Sequence, residues 1–242
     1  MKKWQERAEL LFKKDGLERL KNANVLVVGL GGVGSFAAEF LARAGVGKLT
    51  IIDGDVVDIT NINRQLPALH STIGEPKVKI VGNRLMDINP NLDLTQIQEF
   101  LSPERAFEIV SPNFDYIVDC IDSVTPKLNL IFAAKRKRVK IISSMGAGGK
   151  MEASKVKVAC ISNAVNCLLA KAIRKRLKKQ KINKLKVVFS SEIQDESSLK
   201  LTDGDNYKKS FYGTNSYMPG LFGLFAAETV IRYLIKNEKK NN

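Results

Sequence analysis

The chain has 242 residues, 44% apolar and 26% charged, with a formal charge of +14; this is a globular composition with room for a large core in one domain. No apolar run approaches the roughly 20 residues of a membrane helix, and the charged N-terminus has no apolar stretch behind it to read as a secretory signal. Three cysteines without a C-x-x-C pair argue against a disulfide framework or a four-cysteine zinc site and fit a reducing, cytoplasmic compartment.

Residues 3–21 read as a helix with Leu10, Leu11, Leu17 and Leu20 at its apolar positions. Residues 25–28 are apolar and rich in β-branched side chains, as in a buried strand. Gly29, Gly31, Gly32 and Gly34 then remove most Cβ atoms from the turn that follows. Residues 35–44 are good helix formers, with Gly45 as C-cap. Strand, glycine turn and helix bring backbone N–H groups and a helix N-terminus against phosphate oxygens. A second strand, 48–52, runs into Asp53, whose carboxylate can accept hydrogen bonds from a ribose. Taken alone, this is also the NAD-binding pattern, or a glycine turn that merely closes a βα unit.

Residues 59–67 are polar, an ordered loop or short helical turn. A helix begins at 74–77, with Pro76 in its first turn, and ends at Asn89 and Pro90. Residues 92–97 alternate as a strand. Ser102 caps the next helix and Pro103 opens it. Residues 116–121 form a buried strand ending at Asp122. Thr125 and Pro126 repeat the cap-and-proline signal for a helix to Arg138, and 139–143 is a strand leading into the Gly-rich 145–149. Strands alternating with helices imply an α/β fold: a Rossmann-like, doubly wound, mostly parallel sheet with helices on both faces. Ligands of such sheets lie beyond the carboxyl ends of the strands. The glycine turn, Asp53 and Asp122 all sit at such ends and are expected to converge.

Beyond residue 150 the pattern weakens. A strand at 156–161, a basic helix at 163–179 and a strand at 186–190 are expected, the helix with Leu168, Leu169, Ile173 and Leu177 on its apolar side. Residues 191–216 read as a polar, mobile loop. Residues 220–236 form an apolar helix, too short and too charged at its end for a membrane span. Residues 135–186 carry 17 Lys or Arg and one acid, Glu152, whereas the rest of the chain carries 22 basic and 24 acidic side chains. The whole basic excess therefore sits in one segment. Such a field attracts phosphates, with nucleic acid the leading reading and an anionic membrane or a solvated face the alternatives.

Five motifs occur in order: the glycine run 29–34, Asp53 with Asp55, the run Asn61-Ile-Asn-Arg-Gln65, Pro76-Lys77, and Asp119-Cys-Ile-Asp122. Together, over residues 7 to about 150, they resemble the ATP-dependent adenylyltransferase fold of the ubiquitin-activating enzymes and their ThiF/MoeB-type bacterial relatives, which act on sulfur-carrier proteins. Within that superfamily the chain looks most like the tRNA threonylcarbamoyladenosine dehydratases, on residues 33–38, 61–68, 141–147 and 186–190.

The resemblance implies ATP and Mg²⁺ as cofactors. It places Gly29, Gly31, Gly32 and Gly34 on the phosphates, and Asp53 and Asp55 on the nucleoside side. Arg64 and Lys77 would neutralise the triphosphate during attack at the α-phosphorus. Asp122 would hold Mg²⁺, with Asn61 and Gln65 orienting phosphates or metal-bound water. Arg7 stands where the family donates an arginine across a homodimer, although 11–14 departs from the usual small residue there. Lys171, Arg174, Lys175, Arg176, Lys178 and Lys179 are the expected tRNA contacts.

One domain is expected, with an ATP-binding core at 1–160, a basic, loop-rich substrate-binding segment at 161–216 and a C-terminal helix at 217–242. The expected partners are the modified tRNA and a second copy of the chain, with a sulfur-relay protein left open. Plainer roles stand beside these: Asp53 as a turn cap, Arg64 and Lys77 as surface charges. Asp119 reads as structural, Cys120 as core and His70 as a loop or core residue, while Cys160 and Cys167 match no thioester cysteine. The function implied is an AMP-forming dehydratase that cyclises threonylcarbamoyladenosine in tRNA. Alternatives are an adenylyltransferase for a sulfur-carrier C-terminus and an ATP- and RNA-binding module without turnover.

Overall fold

The computed structural model describes residues 3–201 and 210–236. Seven strands, β1 (Asn24–Val28), β2 (Lys48–Ile52), β3 (Asp93–Ile97), β4 (Tyr116–Asp119), β5 (Lys140–Ser144), β6 (Val156–Cys160) and β7 (Lys186–Ser190), form one sheet in the order β3-β2-β1-β4-β5-β7-β6. All neighbours pair in parallel except edge strand β6, which runs antiparallel to β7. From β1 the chain crosses to β2 on one side; from β4 it crosses to β5 on the other. The winding reverses between β1 and β4, and a crevice opens at their carboxyl ends.

Helices cover both faces, so the strands read as near-continuous apolar runs. Helices α1 (Glu6–Lys21), α2 (Gly34–Ala44), α3 (Lys77–Ile88) and α7 (Met218–Lys236) lie on one face. Helices α4 (Pro103–Ile109), α5 (Val124–Arg136) and α6 (Leu168–Lys179) cover the other. Side chains alternate across β1. Val25 and Val27 belong with Leu41, Phe222 and Val230 to the first core, while Leu26 and Val28 belong with Leu130, Ile131, Ile173 and Leu177 to the second. Each such side chain contributes about 1.5–3 kcal/mol on full burial.

Several boundaries differ from expectation, each for a local reason. Helix α1 bends at Lys13, where φ is +62°. Ahead of the bend Leu10 and Leu11 are 72% and 75% exposed, not part of the apolar stripe; behind it Leu17 and Leu20 reach the core. Strand β4 stops at Asp119, not 121, because Asp119 Oδ1 accepts the Ile121 N–H at 3.1 Å and turns the chain. Helix α6 starts at Leu168, not 163: a 3-10 turn fills Ile161–Asn163, and Cys167 Sγ accepts the Ala170 N–H. Leu168 consequently sits in an exposed first turn while Ile173 and Leu177 are buried.

Within 191–216, expected to be a loop, β8 (Leu199–Leu201) pairs with β9 (Ser210–Tyr212). Residues 202–209 of that stretch, and 237–242 of the expected C-terminal helix, lie outside the described residues. Residues 161–216 also supply β7, which lies inside the sheet. Helix α7 is, against expectation, long and apolar enough by length and composition to cross a membrane, yet half of that stretch is buried. Met218, Phe222, Ala226, Val230 and Leu234 are core.

Beneath the crevice lies a charged knot. Lys127 of α5 and Asp119 at the end of β4 are both fully buried, with Nζ 2.8 Å from Oδ2. Ser143 of β5 donates to the same Oδ2 at 2.6 Å and accepts from Lys127 at 3.1 Å. Burial pushes the Asp119 carboxyl above its ordinary value, and the Lys127 ammonium pulls against it. Removing one partner of such a pair strands the other charge. Asp119→Ala is expected to lose about 3–5 kcal/mol in urea denaturation, with part regained in Asp119→Ala/Lys127→Met. An unchanged midpoint in the single variant would show that the knot contributes nothing.

Candidate active site

The turn after β1 is shaped by close approach. A Cβ built on Gly34 would lie 1.7 Å from the Gly29 carbonyl oxygen. Gly29 adopts φ +87°, and its Cβ would meet the Cys120 carbonyl oxygen at 2.9 Å. Gly32 is packed against Pro219 and the Arg64 backbone. Gly31 differs: its nearest neighbour is the Gln65 side chain, at 3.6 Å from the added Cβ. Beside it, Gln65 Oε1 is buried with no hydrogen-bond partner among the described residues. An accessible glycine backbone next to an orphaned amide oxygen is a surface that a polar ligand completes. The α2 N-terminus favours an anion at the same place.

Asp53 leaves β2 and is tied to this turn. Its Oδ2 accepts the Leu30 N–H at 2.6 Å and its Oδ1 the Asp55 N–H at 2.7 Å. Burial raises its pKa, opposed by those N–H groups and by Lys77. The capping role therefore exists, and each oxygen keeps lone-pair capacity for a hydroxyl donor. Lys77, the first residue of α3, is buried; its Nζ lies 3.0 Å from Asp55 Oδ2 and acts electrostatically on Asp53 and Asp58. Arg64 is half-buried and donates to the Thr60 carbonyl and Asn63 Oδ1, both at 2.8 Å. Burial lowers its pKa, and neighbouring Asp122 raises it. Neither cation is an ordinary surface charge.

Asn61 is buried in a capping box with Asp58, where its Oδ1 accepts the Asp58 N–H at 3.3 Å. Its carbonyl is committed to the loop. Asp122 is exposed at the entrance to α5. Among the described residues no three His, Cys, Asp or Glu side chains gather as a metal site. One carboxylate still fits Mg²⁺, which usually takes most of its ligands from phosphate and water.

Cys120 lies under the glycine turn, its thiol pKa pushed up by burial, and His70 is exposed in a 3-10 turn. Arg7 is two residues from Gln5, which packs on Gly45 at the carboxyl end of α2. Helix α2 is 11 residues long, about 16 Å, so Arg7 and the glycine turn of the same chain lie at opposite ends of it.

On α6 the structure exposes Lys171, Lys175, Arg176, Lys178 and Lys179. Arg174 is less exposed: its Nη1 turns inward to the carbonyls of Ile161 and Ala164, at 3.0 and 2.7 Å. Ile161 opens the 3-10 turn, where its carbonyl also accepts the Ala164 N–H, and Ala164 follows the turn; Arg174 ties both to α6. Lys150 was missed. It is 2% exposed, and its Nζ donates to the carbonyls of Asn166, Ser190 and Glu192 at 2.8–2.9 Å. Burial lowers its pKa. A lysine after a glycine pair gives no hint of this, because its acceptors come from two distant segments, the loop before α6 and the end of β7.

Fold and crevice define a nucleotide-binding protein of the doubly wound α/β class. The chain belongs to the ThiF family, whose sequence profile matches residues 5–242. It is 39% identical over 239 residues to the tRNA threonylcarbamoyladenosine dehydratase of Bacillus subtilis, covering 96% of this chain and 94% of that one. The E. coli tRNA N6-threonylcarbamoyladenosine dehydratase TcdA, solved with AMP and with ATP, matches with a TM-score of 0.86 at 31% and 30% identity, over 97% of this chain and 96% of that one. The molybdopterin-synthase adenylyltransferase of Haemophilus influenzae is 39% identical over 138 residues, 57% of this chain and 56% of its own.

The two classes of glycine are separable by experiment. Gly31→Ala is expected to keep the parent melting temperature but to weaken binding of a fluorescent ATP analogue at least tenfold, about 1.4 kcal/mol. Gly34→Ala is expected to lower the melting temperature sharply, since its Cβ collides with backbone. Equal behaviour of the two variants would refute the distinction.

Proposed function

We propose that this chain is an ATP-dependent dehydratase acting on threonylcarbamoyladenosine in tRNA. The observation that carries the reading is the convergence of the glycine turn, Arg64, Lys77 and Asp122 at the switch between β1 and β4, in a chain similar to such dehydratases along nearly its whole length. In this reading the substrate carboxylate is adenylated with loss of pyrophosphate, and an atom of the same modification then displaces AMP, closing a ring with net loss of one water. The nucleophile is internal, so no catalytic cysteine is required.

Backbone N–H groups at Gly31, Gly32 and Gly34 bind phosphate; Gly29 is a correction, because its N–H is held by the Ile52 carbonyl at 2.8 Å and it serves the turn instead. Asp53 accepts the ribose hydroxyls, with Asp55 holding Lys77 beside it. Arg64 and Lys77 stabilise the charge that moves onto the leaving phosphates. Gln65 fills its orphaned valence with bound ligand or water, and Asn61, whose amide N–H₂ lies 3.5 Å from Thr60 Oγ1, holds the loop that orients phosphates or metal-bound water. Asp122 offers its carboxylate to Mg²⁺, which neutralises phosphate charge when present. Arg7 cannot serve its own chain from the far end of α2. It belongs to the neighbour's site, and the working form is a homodimer. Lys171, Lys175, Arg176, Lys178 and Lys179 attract the tRNA. The domain works as one unit, with 1–160 binding ATP and 161–216 binding RNA, in the cytoplasm.

Incubation with ATP and threonylcarbamoyladenosine-bearing tRNA is expected to yield a nucleoside lighter by one water, with AMP released only when that tRNA is present. Lys77→Ala and Asp122→Ala should each abolish both signals. Full activity in either variant would refute the assignment. AMP release driven by a small protein ending in Gly-Gly, and not by tRNA, would replace it with the sulfur-carrier reading.

A further inference from the structure

Away from the glycine turn, an open groove separates α5 from α6. It consists of two adjoining hollows of about 290 and 380 Å³ that share Phe132 and Gln180. Thr125, Asn129, Phe132 and Arg136 of α5 all line it. Their spacing of four, three and four residues puts them on one helical face. Opposite them stand Arg176 and Lys179 of α6, and Lys135 lines the second hollow. The lining holds four cations and no acid.

Two features of the groove ask for more than an inorganic anion. Phe132 contributes an aromatic ring to both hollows, and the Arg136 guanidinium lies 5.9 Å from the centroid of Phe107 at the far end. Asn129 Nδ2 is buried without an acceptor; with Gln65 Oε1 it is one of two such side-chain atoms among the described residues. The other marks the proposed ATP site. An unmet donor requires an acceptor, and an accessible ring favours a flat partner. A nucleobase supplies both, through a ring carbonyl and a π face, and its phosphates match the surrounding cations.

Resting on the tRNA reading above, we propose that the α5–α6 groove seats an unpaired nucleotide of the substrate loop, next to the one being modified. The base lies against Phe132 and accepts a hydrogen bond from Asn129 Nδ2. Arg176, Lys179 and Arg136 hold its flanking phosphates. The position suits the chemistry: α5 begins two residues after Asp122 and extends for 13 residues, about 20 Å. An RNA strand leaving the crevice beside Asp122 meets Thr125 first, then Asn129, then Phe132. The groove thereby fixes the register of the loop, while the outer lysines of α6 add attraction without register.

The test is anisotropy binding of labelled full-length tRNA carrying threonylcarbamoyladenosine. Phe132→Leu keeps apolar volume but removes the stacking face, and Asn129→Asp replaces the donor with a charge; each is expected to weaken binding at least about fivefold, the low end of a lost base–aromatic stack. Arg176→Ala/Lys179→Ala should weaken binding and reduce the slope of log K against log salt by about 1.4, as for two single-strand phosphate contacts. Unchanged ATP binding in each variant reports an intact fold. Parent-like tRNA affinity in Phe132→Leu and Asn129→Asp, with binding lost in Lys171→Glu/Lys175→Glu, overturns the groove and leaves the tRNA reading standing. If the parent binds no tRNA, both fall together.

Discussion

Everything in this molecule is built around a steric constraint: the carbonyl oxygen of Gly29 occupies the place where a side chain on Gly34 would be. The turn can tighten that far only because neither residue carries a Cβ. Tightening it brings the α2 N-terminus over the end of β1 and the Cys120 carbonyl under Gly29. Two neighbouring strands, β1 and β4, thus finish at one crevice, with Asp53 from β2 clamping the turn through the Leu30 N–H. Gly31, at the same turn, has no such packing duty and faces the unsatisfied Gln65. Fold and ligand make separate demands on glycines two and three residues apart.

Charge inside the protein is handled in two ways. Lys127 is met by a carboxylate and a hydroxyl, a full ion pair where β4, α5 and β5 meet. Lys150 is met by three backbone carbonyls and no carboxylate. The first arrangement is an electrostatic bolt under the crevice. The second gathers the chain after β7, the loop before α6 and the turn after β5. A buried ammonium with no carboxylate in hydrogen-bond contact is tolerated when dipoles saturate its three donors, and here the nearby Glu192 carboxylate adds an electrostatic pull. Segments far apart in the chain are thereby fastened on the side of the sheet that carries the basic helix.

The positive field is likewise organised by packing. Arg174 is withdrawn to serve the Ile161 and Ala164 carbonyls, whereas its neighbours on α6 point outward. Arg176 and Lys179 face α5 across a groove and the remaining lysines do not line it. One helix therefore offers a directional edge and a diffuse one. An enzyme that must place a single nucleotide at a crevice has use for both.

Residues close in sequence declared themselves early. The strand, glycine turn and helix at 24–44, the Ser102 cap, β2 at 48–52 and β7 at 186–190 were legible because hydrophobic period, caps and glycines act over a few residues. The glycine turn, Asp53 and Asp122 were legible for the same reason: each lies at a strand end, and strand ends in a parallel sheet share one edge. Asn61, Arg64, Gln65 and Lys77, on a loop and a helix start, were pointed to only by the resemblance to the family. The position of β7 between β5 and β6, the exposure of Leu10 and Leu11 ahead of a bend, the burial of Lys127 and Lys150, and the inward turn of Arg174 were decided by tertiary structure alone. Those outcomes depend on which distant carbonyl, carboxylate or helix arrives beside a side chain. Local pattern specifies what a segment is; only the closed sheet and its two cores specify what each segment meets.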